Sequence, residues 1–350
     1  MNILINRTDA IGDTLLSIPL GLLIKLKFPQ AKIGFIVSPR SYDLIQLVEG
    51  IDSLYLLDPK DKHKNKWQKC REIFEDFCPD QYFHLGGDFT PTAFSFFKRI
   101  PFRGGLVSKI PSFLFLNRGL RQSRSQVEKH ESVYNMDLAK PLGIDIDDSL
   151  LDKFKNELSP RFQLHRDQVD SIVSELPLEG KRPLLIHPGM SGHTLNWPNE
   201  DYGELANRLN DKYAKDYKIV VSFTPGDLAY VEGMKSAMNE QTLRNTYFLD
   251  GSKKGLIHYT HVLAGAALFI GPSTGTTHMA NALRVKQVAL YSPIKVQSEK
   301  RWGPFYRDER VRVFCPTENS FKKWGEDKCM ATVSIDDVFE ACEELLRIPE

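Results

Sequence analysis

Apolar runs of strand length alternate with helix-period patterns from one end of this 350-residue chain to the other. That alternation confines the fold to parallel sheets with crossover helices, the α/β class. Strands are expected at residues 3–6, 32–37, 53–57, 81–85 and near 105–107 in the first half, and at 184–187, 218–223, 247–249, 267–270, 287–291 and 311–314 in the second. Helical patterns fill the gaps; over 67–77, for example, Cys70, Ile73, Phe74 and Phe77 share one face. A chain this long exceeds one core, so two doubly wound halves are predicted. The charged stretch 145–166, with Pro160, marks the linker near 155–168 and gives domains at 1–160 and 161–334. A final helix begins at Ile335 and has an apolar face that suits either half.

In open α/β sheets, ligands bind beyond the carboxyl ends of the strands, where helix N-termini offer unpaired N–H groups. Arg7-Thr-Asp-Ala-Ile-Gly-Asp13 occupies such a strand-to-helix turn. Asp13 there serves either as a helix cap and dipole partner or as a general base. A second turn, His187-Pro-Gly-Met190-Ser191-Gly192 running to Trp197-Pro198, has glycines and hydroxyls that suit a phosphate nest, or it is a loop anchored by Trp197. A third joins a strand to a helix through Gly271-Pro-Ser273-Thr274-Gly275-Thr276-Thr277-His278. Ser273 or Thr274 can cap that helix, whose first turn is a ready diphosphate site that needs no metal. Asp227, after Thr224-Pro-Gly, is a candidate for the nucleotide ribose.

Absences narrow the chemistry. The chain has no P-loop and no G-x-G-x-x-G after the first strand, which removes the main support for ATPase and nicotinamide dehydrogenase readings. Asp145-Ile-Asp147 contains a D-x-D but reads as a solvated turn. Five scattered cysteines with no C-x-x-C give no metal site and point to reduced, buried thiols. With 46 basic and 45 acidic residues, nothing draws the whole chain to nucleic acid. The longest late apolar stretch, 262–271, is well short of the roughly 20 residues of a membrane span, and polar residues break up the N-terminus, so a soluble cytoplasmic protein is expected. Between Lys98 and Lys129, however, eight basic residues face one acid, Glu128, and are interleaved with phenylalanines. That local patch, with Arg118, Arg121 and Arg124 at its centre, suits an anionic amphiphile or a membrane surface.

Taken in order, these segments resemble glycosyltransferase family 9, the heptosyltransferases that build the inner core of lipopolysaccharide. The carriers are Arg7-x-Asp-x-Ile-Gly-Asp13 with Pro19 and Phe28-Pro29, His187-Pro-Gly before Trp197-Pro198, the Ser273-Thr-Gly-x-x-His278 turn, and Tyr291-Ser-Pro before Arg301-Trp-Gly-Pro304. The resemblance implies a GT-B architecture, two Rossmann-like domains facing across a cleft, with the last helix (335–350) returning to the N-terminal domain. It implies inverting, metal-independent transfer with no cofactor, from a nucleotide-diphosphate sugar such as ADP-heptose to a lipopolysaccharide core or related glycan. Asp13 matches the family's base. Met190, Ser191, Gly192, Asp227 and residues Ser273 to His278 would hold the donor, and Arg7, Arg118, Arg121 and Arg124 a lipid-linked or phosphorylated acceptor at the inner membrane's cytoplasmic face. Leu195 and Ser273 depart from the family, which has a cation and an aspartate there. The rival readings are a nucleotide-sugar epimerase or hydrolase on the same fold, and a non-catalytic binding relative.

Overall fold

The chain forms two six-stranded sheets, both wholly parallel. The structure, a computed structural model, describes residues 1–349 apart from 109, 191 and 193. In the first sheet β1 (Asn2–Arg7), β2 (Lys32–Val37), β3 (Ser53–Leu56), β4 (Gln81–Gly86), β5 (Phe102–Leu106) and β6 (Arg118–Leu120) lie in the order β3-β2-β1-β4-β5-β6. In the second, β7 (Arg182–Ile186), β8 (Tyr217–Phe223), β9 (Tyr247–Asp250), β10 (Leu268–Pro272), β11 (Gln287–Leu290) and β12 (Val311–Phe314) lie in the order β12-β11-β10-β7-β8-β9. Each sheet therefore has the Rossmann order, with the winding reversing at β1/β4 and at β7/β10. These two switch points are where the chain turns singled out in the sequence fall.

The chain divides into compact units Met1–Gln163 and Leu164–Glu350, three residues beyond the expected boundary. In the first unit, Cys70, Ile73, Phe74 and Phe77 of helix His63–Phe77 pack on Leu4, Ile36 and Tyr82 of the sheet, as their spacing predicts. In the second, Tyr202, Leu205, Ala206 and Leu209 of helix Asn199–Tyr213 cover Leu184, Ile186 and Val221.

Two expectations need correction, and two elements had no expectation. Helix Ile335–Arg347 packs within the second unit, not on the first: Val338, Ala341, Cys342 and Leu345 are buried with Leu268, Ile270, Val288 and Leu290. The i, i+3, i+4, i+7 stripe demands an apolar partner but cannot name one. Residues 118–120 form β6, too short and too polar to show strand periodicity. The polar stretch after Pro316 holds a helix, Glu318–Cys329, capped by the Thr317 hydroxyl and broken at Gly325 by a left-handed φ of 68°. All five cysteines are free, but Cys78 is exposed because it ends helix His63–Phe77 in a left-handed conformation.

Placement of the last helix is open to test. Leu345→Ala should cost about 2–5 kcal/mol through a cavity beneath β10 and β11. Hydrogen exchange should then quicken at Phe269, Ile270 and Val288 and leave β1 and β4 protected. Equal loss in both sheets would contradict this packing.

Candidate active site

At the first switch point the chain leaves β1 through Thr8, Asp9 and Ala10 and enters helix Ile11–Leu15. Ala10 takes the N-cap position, so Asp13 is not a cap; it lies in the first turn. Its carboxylate instead meets Arg7, whose Nη2 donates to Asp13 Oδ1 at 2.5 Å. The same guanidinium donates from Nη1 to the Leu85 carbonyl at 2.5 Å and lies 3.0 Å through Nε from Asp9 Oδ2. The Arg7 side chain is 7% exposed, while Asp9 and Asp13 keep 34% and 26% of their surface. A buried cation thus holds two half-open carboxylates. Burial pushes the Asp9 carboxyl above its usual range, with Asp13 adding to the shift and Arg7 opposing it.

The end of β4 completes this arrangement, and the sequence reading missed it. Gly86 and Gly87 let β4 approach the β1 turn: a Cβ on Gly86 would come within 2.5 Å of Asp9 Oδ2, and one on Gly87 within 2.8 Å of the Thr8 backbone nitrogen. Gly87 also has a φ of 81°, which disfavours any side chain. Next to them, Asp88 pairs with Lys66 at 2.5 Å and accepts from the Thr90 N–H at 2.8 Å. Burial works against the Asp88 carboxylate, but those bonds hold it below its ordinary range. Asn6 donates to the carbonyls of Gly86 and Asp88 and to His84 Nδ1 at 3.2 Å. A Gly-Gly-Asp directly after a strand was the signal available. A cavity of about 380 Å³ opens beside this turn, lined by Thr8, Asp9, Ser38, Arg40, Asp58 and Lys60 among others.

At the second switch point His187 follows β7 and is buried, its Nδ1 3.0 Å from the Ser222 carbonyl and 3.1 Å from the Ser222 hydroxyl. Burial lowers its pKa, and Asp227 partly offsets that. Ser222 continues to the Tyr259 hydroxyl at 3.0 Å, which also meets Thr276. Thr274 is the N-cap residue of helix Gly275–Ala282, yet its hydroxyl makes no cap bond and is buried without a partner. Ser273, the other expected cap, bonds to the buried Tyr291 hydroxyl. The helix N–H groups therefore lack side-chain caps. Thr277 turns back to the Pro272 carbonyl, and His278 is buried in the same helix.

Other expected site residues have local duties. Asp227 Oδ2 accepts from the Thr224 N–H and hydroxyl at 2.8 and 2.7 Å, a capping box that closes the turn after β8. Trp197 is buried, with Nε1 donating to the Val333 carbonyl at 3.1 Å, so it anchors its loop. Met190 is buried and Gly192 is open; Ser191 lies outside the described residues, as does Lys109 of the basic patch. Arg124 is not an exposed acceptor cation: it is buried against Glu131, Asn135 and Gln122 and stacks on Tyr134. Arg118 and Arg121 are exposed. Asp147 caps the helix Asp148–Phe154 and Asp145 faces Lys140, which leaves the D-x-D as a turn. Among the described residues, no group of three His, Cys, Asp or Glu side chains is placed to hold a metal ion.

Two Rossmann-like units of this kind are the fold of the GT-B class. The family profile for glycosyltransferase family 9 (heptosyltransferase) matches residues 80–331, more than half of the chain. The chain belongs to that family. A Haemophilus influenzae protein provisionally assigned as a glycosyltransferase is 24% identical over 326 residues, covering 90% of this chain and 89% of the relative. The E. coli ADP-heptose lipopolysaccharide heptosyltransferase II superposes with a TM-score of 0.80 at 21% identity, over 99% of this chain and 98% of that one. A family 9 glycosyltransferase from Veillonella parvula gives 0.78 at 19% identity, over 99% and 97%. These structural likenesses establish the fold. A nucleotide-sugar donor and a saccharide acceptor follow from the family.

His84 makes the site's electrostatics measurable. Burial and the nearby Arg7 lower its pKa to about 4, with Asp88 opposing, and the Asn6 amide needs an unprotonated Nδ1 as acceptor. The unfolded chain binds this proton near pH 6.5 but the native one only near 4, so the stability tied to neutral His84 is complete above about pH 6.5 and is lost as pH falls toward 4. Denaturant titrations should show this loss, up to about 3 kcal/mol from a shift of this size. His84→Gln should flatten that part of the pH profile. An unchanged slope in the variant would remove His84 as its source.

Proposed function

We propose that this enzyme transfers a heptose from ADP-heptose to a hydroxyl of a phosphorylated, lipid-borne saccharide of the lipopolysaccharide core type, inverting the anomeric carbon without a metal ion. The carrying observation is the complementary chemistry of the two switch points: a half-open carboxylate on a buried arginine in one unit, an uncapped helix N-terminus with an unpartnered hydroxyl in the other. Arg7 engages Oδ1 of Asp13 and leaves Oδ2 to take the acceptor proton as the hydroxyl oxygen attacks the anomeric carbon. The bond to the diphosphate breaks on the opposite face of the sugar. The leaving oxygens gain negative charge, which the N–H groups of helix Gly275–Ala282 and the Thr274 hydroxyl stabilise. Arg7 orients the base and, being almost out of water, does not serve as an acceptor contact. Of the arginines expected at the acceptor, Arg118 and Arg121 are exposed and would meet its phosphate.

ADP-heptose is favoured by the named substrate of the E. coli enzyme that this chain resembles. Leu195 and Ser273 alter the grip on that donor. A cytoplasmic setting suits the exposed free thiol of Cys78, and no described helix is long and apolar enough to cross a membrane. An epimerase or hydrolase on this fold would consume donor without acceptor, so release of free sugar at the full rate would favour that alternative.

Asp13→Asn should abolish transfer while ADP still raises the melting temperature, because base and diphosphate site belong to different units. General-base catalysis contributes about 10²–10⁴ in rate, so a variant retaining more than about a tenth of kcat would exclude Asp13 from this role. Turnover should persist in excess EDTA. Loss on chelation, restored by Mg²⁺ or Mn²⁺, would refute metal independence.

A further inference from the structure

Four apolar side chains on one face of the first unit take no part in the chemistry above. Phe96, Phe97, Phe113 and Leu114 expose 39, 64, 49 and 67% of their surface. They come from two helices, Thr90–Phe97 and Ile110–Phe115, and form one surface: Phe96 packs edge-on against Phe97 at 5.6 Å and against Phe115 at 5.1 Å. The helices do not need these side chains for their own cores, since Phe94 and Leu116 are buried and Trp67 backs Phe94 and Phe97 from below. Isolated exposed apolar residues are ordinary, but a contiguous group on neighbouring helices marks a contact surface.

The charge around this face selects its partner. No acidic residue occurs from Phe89 to Val127. Arg103 turns inward to the carbonyls of Phe115 and Ile100, and Arg124 is buried against Glu131. Lys98, Arg99, Arg118 and Arg121 stay at the surface, with Arg121 stacked on Phe113 at 4.8 Å and Lys98 facing Glu75 at 3.6 Å. A second copy of the chain would press this predominantly basic face against itself in a two-fold contact, and like charges oppose that. Aromatic and aliphatic side chains ringed by cations instead match the interface of an anionic bilayer, where rings enter the acyl boundary and cations meet lipid phosphates.

We propose that the face formed by Phe96, Phe97, Phe113 and Leu114 docks this glycosyltransferase on an anionic membrane surface. The proposal builds on the reading that the acceptor is lipid-borne, and it supplies the means by which such an acceptor is met: Phe97 and Leu114 enter the boundary, while Arg118 and Arg121 face phosphate presented at that surface.

The test is sedimentation of the full chain with vesicles of phosphatidylethanolamine and phosphatidylglycerol, against vesicles of phosphatidylcholine alone. The protein should bind the first, release with rising salt as exposed charges are screened, and bind the second weakly. Phe97→Ser combined with Leu114→Ser should lower vesicle partitioning by about tenfold or more. The same variant should keep its melting temperature, and its kcat/KM with an acceptor stripped of acyl chains should not change. No binding of wild type to anionic vesicles, or equal binding by the double variant, would overturn the proposal. So would a wild-type dimer in analytical ultracentrifugation that the double substitution converts to monomer, because the face would then belong to a second copy. Vesicle binding is read without turnover, so failure of the transferase reading would show in the activity assays and leave this result interpretable.

Discussion

A guanidinium held almost out of water at the end of β1 organises the first unit's site. Removing a charge from water costs several kcal/mol unless partners replace the solvent, and Arg7 finds three: the Leu85 carbonyl, Asp9 and Asp13. Each partner imposes a further condition. Leu85 must present its carbonyl inward, which accompanies the register shift where Arg7 pairs with Gly86. Asp9 needs the space that a side chain on Gly86 would fill. Nearby, burial and Arg7 keep His84 neutral, and Asn6 donates to its Nδ1. A short stretch of chain is thereby fixed by one charge.

The second unit solves a different problem with different means. Its switch point carries a neutral chain of His187, Ser222, Tyr259 and Thr276 linked by hydrogen bonds, with Asp227 nearby closing its own turn and the helix N–H groups left without side-chain caps. Burial keeps His187 below and Tyr259 above their ordinary pKa values, so both are neutral near pH 7. Neutral partners next to a helix N-terminus leave the field of the peptide dipoles for an incoming anion. The first unit, by contrast, presents carboxylates, which would repel a diphosphate but suit the uptake of a proton.

Several residues with chemically active side chains are used for folding. Arg124 and Glu131 form a buried pair whose disruption would leave a charge uncompensated, at about 3–5 kcal/mol. Asp227 closes its own turn through Thr224, and its side chain lies where a Cβ on Gly189 would clash, so it also fixes the loop after β7. Trp197 ties that loop to the Val333 carbonyl. These are positional roles, and residue type alone does not distinguish them from binding roles.

The alternation of strand-length and helix-length patterns determined the α/β class, and eleven of the twelve strands stand where apolar runs predict them, because burial on both faces leaves a local mark in composition. The chain turns at Arg7–Asp13, after His187 and after Gly271 were visible for a similar reason: glycine, hydroxyl and charge at a strand end are local signals. Tertiary structure alone decided which of those groups meet. Asp13 as a partner of Arg7 and not a cap, Arg124 as an internal ion, Gly86-Gly87 as room for Asp9, and helix Ile335–Arg347 on the second sheet all depend on residues distant in sequence. An apolar stripe or a charged side chain specifies that a partner is required. Only the packed chain sets which surface or counter-charge lies within reach, since contact free energies act over a few ångströms and not along the sequence.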